Sequence, residues 1–361
     1  MIYISLFFST LLASFASLSK EFPSKKAYLF LCIFIFFVVA LRYASTDYFG
    51  YLRIYEGVGD FSRLGFFIYD LNASTPVETG FALLIMLEKF IFGHYFIFVA
   101  VFSFLSLLIK FSAFKKLSPY LVLSLLLYLS DEYFWKDLGQ IRNAMASGIV
   151  LWAFYHAYYR RFWHFLVLVF AAILFHSAAI VALPFYFARW FKSSFFLTGA
   201  LFFTVVFVAL FGGFGQLIPE LAIQLGFSEN SRIVKYASSQ YVDGTSAFGG
   251  TFSLQLLICT LLSLFYKKLS EKWVYNGFLI PVYIYSSCLF FLFIDYGIIG
   301  GRIREMLALP VACVVIPSFV LLFRGYSKIL PYSAIVAYSL IWFFMMMRDR
   351  APYQSILQFL F

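Results

Sequence analysis

Four arginines at the ends of apolar runs, Arg42, Arg142, Arg302 and Arg304, are the residues most suited to chemistry in this chain. A planar guanidinium grips phosphate or carboxylate oxygens in pairs, and an ionisable group at a membrane edge is costly unless it has such a partner. They either pair with nearby carboxylates or hold an anionic ligand. Around Arg42 the segment Tyr43-Ala44-Ser45-Thr46-Asp47-Tyr48-Phe49-Gly50-Tyr51-Leu52-Arg53-Ile54-Tyr55 interleaves rings with Asp and Arg. Rings with a polar tip, Tyr48 and Tyr51 among them, stack on sugar faces and bond sugar hydroxyls, although the same residues also make the aromatic belt of a bilayer interface. His176 sits in the middle of an apolar stretch beside Ser177. Asp131, Glu132 and Asp137 could form an acid pair for glycoside chemistry, or flank Trp135-Lys136 as an interfacial anchor.

The elements that position these groups are membrane helices. With 63% hydrophobic and 12% charged residues, a water-soluble domain could not cover its surface with polar groups. Runs of ~20 apolar residues predict crossings near 2–19, 27–42, 94–114, 119–130, 143–159, 194–211, 249–266, 273–294, 303–323 and 329–347. The expected fold class is an all-α polytopic integral membrane protein, about 11–12 transmembrane or re-entrant helices, with outward-facing loops. The organisation expected is a single transmembrane domain over 1–361, with a first outer loop and amphipathic helix at 43–92 and a large outer loop at 212–248.

Sidedness follows from the charges. The breaks at 20–26, 110–116, 160–161, 189–192, 267–272 and 324–328 hold 15 of the 27 basic residues and 2 of the 17 acidic ones. By the positive-inside rule they are cytoplasmic, so the net charge of +10 comes from topological anchors and implies no nucleic-acid partner. Both termini then lie outside, and the first apolar run is a retained helix rather than a cleaved leader. Inside, eleven Lys accompany four Arg; outside, nine Arg accompany three Lys. The stretch 162–191 is too long for one span between two cytoplasmic ends, which predicts two short helices turning at His176-Ser177. Residues 79–92 carry Glu88 and Lys89 on an apolar pattern, as a surface-lying or re-entrant helix would.

The blocks Arg42-x4-Asp47-Tyr48-x2-Tyr51, Glu78-Thr79-Gly80-Phe81, Ile141-Arg142-Asn143-x-Met145-Ala146, Phe175-His176-Ser177-Ala178-x-Ile180 and Arg302-x-Arg304 before Leu309-Pro310 resemble, in their order, the EpsG/Wzy family of polysaccharide polymerases. Ala44-Ser45-Thr46 lacks the glycine usual in the family's first block, and Asn143 replaces a common Gln. The resemblance implies a membrane glycosyltransferase of GT-C-like fold in a bacterial cytoplasmic (inner) membrane, acting on the periplasmic or extracytoplasmic side. It would move a growing glycan from undecaprenyl pyrophosphate to the terminal sugar of a second lipid-linked repeat unit. Such a reaction needs charge stabilisation of the departing pyrophosphate, for which Arg142, Arg302 and Arg304 are candidates with Arg42 a fourth. It also needs a base for the acceptor hydroxyl: His176 first, since its ordinary pKa of ~6.5 suits proton transfer near neutrality, then Asp47 and Glu78. His176 could equally be a hydrogen-bonded structural histidine.

No cofactor is implied. The chain has no Asp-x-Asp pair and no His-x-x-x-His, and His94, His156 and His164 are scattered, so no metal is expected and the transfer is read as metal-independent and inverting. Cys32, Cys259, Cys288 and Cys313 fall inside apolar runs without a Cys-x-x-Cys pair. Hydrolase-elbow, P-loop and dinucleotide fingerprints are missing. The competing class is a flippase for lipid-linked oligosaccharides, which predicts pseudo-symmetric halves and charges deep within helices; the sequence suggests neither. A scaffold component of an export complex leaves the Arg and His groups unused. Partners expected from the family are lipid-linked donor and acceptor oligosaccharides, membrane lipids, a flippase and a chain-length regulator.

Overall fold

The structure is a computed structural model and describes residues 1–19, 21–43, 45–59, 77–214, 224, 249–294, 297–348, 350 and 352–359. The outer-loop expectation for 212–248 therefore lies almost wholly outside the described residues, as does 60–76 of the first loop.

Nearly everything described is helical, as unbroken apolar runs require, because in hydrocarbon a helix satisfies its own backbone. Each of the ten predicted crossings falls on a helix. The described helices, crossings and others together, are in order α1 Ile2–Ala16, α2 Ser24–Ala40, α3 Tyr48–Gly57, α4 Thr79–Ile91, α5 Tyr95–Leu117, α6 Leu121–Ser130, α7 Glu132–Trp135, α8 Ile141–Tyr158 and α9 Phe162–Ile173. A 3-10 helix Ser177–Trp190 follows, then α10 Ser194–Phe211, α11 Gly250–Leu264, α12 Tyr266–Lys272, α13 Asn276–Leu292 and α14 Gly297–Ile303. A π-helical turn Arg304–Ala308 leads into α15 Leu309–Val315 and a 3-10 turn Ile316–Leu322, and α16 Ile329–Arg348 comes last. Among the described residues four helices, Tyr95–Leu117, Ser194–Phe211, Ile299–Leu322 and Gly325–Arg348, are long and apolar enough to cross a membrane alone. A fifth arises if α11 and α12, bent by 70°, form one broken span.

The chain divides into two compact units, Met1–Ile180 with Ile316–Phe361, and Val181–Val315. In the first, α8 packs between α5 and α9, α2 lies on α5, and α1 and α16 cover α6. A two-stranded antiparallel pairing joins β1 Arg42–Tyr43 to β2 Gln354–Ser355. In the second unit α13 is the centre, packed by α10, α11 and the π-helical turn.

Candidate functional site

Three residues from distant parts of the sequence meet in the first unit. Glu78 immediately precedes α4, Arg142 is the second residue of α8, and His176 occupies the break between α9 and the 3-10 helix that follows. An Arg142 Nη1 donates to Glu78 Oε2, and the other carboxylate oxygen, Oε1, lies 4.0 Å from His176 Nδ1. All three are partly exposed.

Gly80 explains how Glu78 reaches that position. Its N–H donates to the Leu174 carbonyl at 2.8 Å, docking the start of α4 on the end of α9. A Cβ at Gly80 would stand 2.8 Å from the same carbonyl oxygen, so only glycine permits the approach. Phe81 then turns inward and is fully buried against Tyr51, Phe98 and Phe102. The motif Glu-Thr-Gly-Phe is thus a charge, a close approach and a core anchor in four residues. Next to His176, Phe175 packs on Phe102, and the Ala178 N–H donates to His176 Nδ1 at 3.3 Å. The Glu78 carboxylate and the Ala178 N–H therefore compete for one ring nitrogen.

Arg142 is enclosed by aromatic faces. Its guanidinium carbon lies 5.6 Å from the Tyr51 ring centroid and 5.7 Å from that of Phe81. Its Nε is buried and has no hydrogen-bond partner among the described residues, so donor capacity remains after Glu78 is served. Burial pushes the Tyr51 phenol above its ordinary pKa while the neighbouring guanidinium pulls it back. Tyr51 stays a neutral hydrogen-bond donor near pH 7.

Tyr48, one turn earlier on α3, is 3% exposed and packs on Tyr43 and Tyr95. Its hydroxyl has no hydrogen-bond partner among the described residues, and burial raises its pKa to about 12. Asp47 caps the start of α3 in the left-handed region, φ 59°, which Asp tolerates better than most residues, and its side chain is exposed. Arg42 is placed differently from its site neighbours in sequence. It is 3% exposed and donates to the Val39 carbonyl, Ser45 and Ser103. Arg350 donates to Thr46 and Tyr353 to the Val38 carbonyl, so the C-terminal residues tie down the strand and loop that lead to Asp47.

Sequence reasoning missed a buried charge network behind this site. Lys110 is fully buried and pairs with Asp137 at 2.5 Å and Glu132 at 3.4 Å; Lys136, also fully buried, bonds Glu132 at 3.0 Å. Tyr128 and Ser106 donate to Asp137 as well. Lys136 is therefore an internal ion-pair partner rather than an interfacial anchor, and Lys110 is no part of an inner turn. Helix α5 continues seven residues past Lys110, about 10 Å of rise, before it ends. The nearest sequence signal was the density of charges at 131–137, unusual beside apolar neighbours.

In the second unit, Arg302 lies 3.7 Å from Glu305, and Arg304 donates through Nε to Gln255, whose amide donates in turn to Ser287. Arg304 opens the π-helical turn, an irregularity often found at functional positions. Gly300 makes the approach of this helix to the preceding turn possible, since a Cβ there would stand 2.6 Å from the Phe293 carbonyl oxygen. Compared with known proteins, the chain matches a family model described as the EpsG family over residues 25–361. No curated protein and no solved structure matches it.

Proposed function

Because this chain belongs to the EpsG family, and is thereby a membrane glycosyltransferase of the polysaccharide-polymerase type, we propose that it lengthens a glycan carried on undecaprenyl pyrophosphate. The observation that carries the reading is the meeting of Arg142, Glu78 and His176, with the Arg142 guanidinium against the Tyr51 ring. A phosphate-gripping cation, a proton acceptor and a sugar-stacking surface are the parts such a transfer needs.

In the proposed reaction an acceptor hydroxyl of one lipid-linked repeat unit attacks the anomeric carbon of the donor glycan. The new carbon–oxygen bond forms as the bond to the carrier breaks, and the electron pair leaves with the pyrophosphate. The hydroxyl proton passes to His176, and the configuration at the anomeric carbon inverts. Once Nδ1 gives up the Ala178 N–H bond and turns a proton to Glu78, the far ring nitrogen offers its lone pair to the acceptor. Glu78 then orients both Arg142 and His176 rather than acting as the base, and Asp47 is the second candidate for that role. Arg142 meets the developing charge with the donor capacity left after Glu78 is served, and Arg302 and Arg304 are proposed as further phosphate-binding groups. Tyr48 and Tyr51 hold sugar. The Lys-rich turns support an extracytoplasmic location for this chemistry, and the proposal includes a GT-C-like helical frame working beside a flippase and a chain-length regulator.

One observation favours a second reading, a lipid-linked oligosaccharide flippase: Lys110, Glu132, Lys136 and Asp137 are the deep charges that class requires. Reconstitution into liposomes with a lipid-linked repeat unit separates the two. A ladder of longer glycans that disappears in Arg142→Ala and His176→Ala, with helicity retained, supports the polymerase. Movement across the bilayer without lengthening supports the flippase. Wild-type laddering by both variants refutes the site.

A further inference from the structure

The second unit carries a groove of about 660 Å³ between the end of the 3-10 helix Ser177–Trp190, the first turns of α10 and the later turns of α13. Its lining is almost wholly apolar. Gly199, Ala200 and Ala188 make its floor shallow, and the rings of Phe187, Phe195 and Phe203, all exposed, form its sides. Tyr285, on α13, donates to the Phe191 carbonyl and closes one end.

At that end the chemistry changes. Ala188 and Phe191 line the groove, and Arg189 and Lys192 are their next neighbours along the chain, just outside the lining. The Arg189 guanidinium sits 4.1 Å over the Tyr186 ring, yet its buried Nη1 has no hydrogen-bond partner among the described residues. Lys192 is exposed. The N-terminus of the 18-residue helix α10 begins two residues later, with Ser193 accepting from Phe196 N–H, and adds positive potential. Among the described residues no acidic side chain lines the groove.

We propose that this groove is a binding site for an anionic glycerophospholipid, with acyl chain along the phenylalanine walls and headgroup phosphate on Arg189 and Lys192. In a bilayer an apolar groove alone gives little selectivity, because lipid tails are as apolar as the protein. The selectivity comes from the headgroup. The site is independent of the polymerase reading and, by the basic turn it adjoins, belongs to the cytoplasmic leaflet.

Native mass spectrometry of the full chain tests it, using protein exchanged into bilayers of equal phosphatidylcholine and phosphatidylglycerol. Retained phosphatidylglycerol should exceed phosphatidylcholine roughly thirtyfold, which two basic side chains beside an anionic headgroup supply. Arg189→Gln with Lys192→Gln should bring the ratio close to one. Gly199→Leu should lose both lipids by filling the groove, since a Cβ at Gly199 meets nothing within 4 Å and the helix is not disturbed. Equal retention by the wild type, or undiminished retention by Gly199→Leu, overturns the proposal. So does displacement by undecaprenyl phosphate, which would make the occupant the carrier lipid, or cross-linking of two copies through Gly199→Cys.

Discussion

Gly80→Ala should damage the site without touching any group that does chemistry. The new Cβ would lie 2.8 Å from the Leu174 carbonyl oxygen and 2.9 Å from its Cβ, about 0.6 Å short of ordinary contact. Both neighbours are anchored, so α4 must retreat from α9, and the Gly80–Leu174 hydrogen bond lengthens with it. Overpacking of this kind costs about 1–3 kcal/mol of stability. Glu78 is only two residues away and moves with the helix start, out of register with Arg142 and His176. A misplacement of 1 Å in a reacting constellation costs on the order of 100-fold in rate, so a shift of about half that predicts roughly tenfold slower glycan lengthening. Thermal unfolding in detergent reads the first quantity and ladder growth in liposomes the second. Gly50→Ala is the control, because a Cβ there meets nothing within 4 Å and the residue lies in a helix, where Ala is favoured. Gly80→Ala with wild-type stability and rate would refute the account of the Glu-Thr-Gly-Phe motif.

Lys110→Met leaves Asp137 and Glu132 buried with a cation removed and should cost about 3–5 kcal/mol, whereas Lys110→Met with Asp137→Leu should recover much of it; equal losses in chemical denaturation would contradict this. Tyr48→Phe removes a buried hydroxyl without a hydrogen-bond partner among the described residues and should leave stability near neutral pH unchanged or slightly raised. Since the folded phenol titrates at about 12 against ~10 unfolded, its contribution is whole below pH ~10 and lost as pH rises through 12. The variant should therefore lose less stability across that window, and an identical alkaline profile counts against the shift. If Tyr48 also holds sugar, the variant polymerises more slowly at unchanged fold. EDTA should leave laddering intact, and loss of turnover restored by Mg²⁺ would end the metal-independent mechanism.

Helix positions and the turn at His176 were legible because they depend on local pattern. An apolar run between Arg161 and Arg189 too long for one span has few options but to break, and the break falls at residues 174–176. The convergence of Glu78 with Arg142 was legible only through the resemblance, since residues 64 positions apart carry no pairing signal in spacing. Lys110 shows the limit. It stands near Lys115 and Lys116 in sequence and invites grouping with them, but those two point from the last turn of α5 while Lys110 faces inward to carboxylates some 20 to 30 residues on. Arg42 misleads for the same reason: its type suggests a ligand, and the partners that claim it come from Val39, Ser45 and Ser103.

The buried network is explained by the path of the chain around it. Lys110 lies against Gly148, the Trp152 indole donates to the Ser112 hydroxyl, and Lys116 covers the Tyr155 ring. Contacts that advance together along both helices mean that α5 and α8 run in the same direction. Residues 118–140 must therefore carry the chain back between them. Helix α6 supplies ten residues, about 15 Å, which is half the ~30 Å of a hydrocarbon core. The irregular stretch that completes the return is tolerable at such depth only where protein encloses it and its polar groups are paired. Lys110 and Lys136 set against Glu132 and Asp137 meet that need with two charges of each sign, all buried. Five residues beyond Asp137 comes Arg142, so the ion pairs that hold the return also fix where the guanidinium at the mouth of α8 can stand.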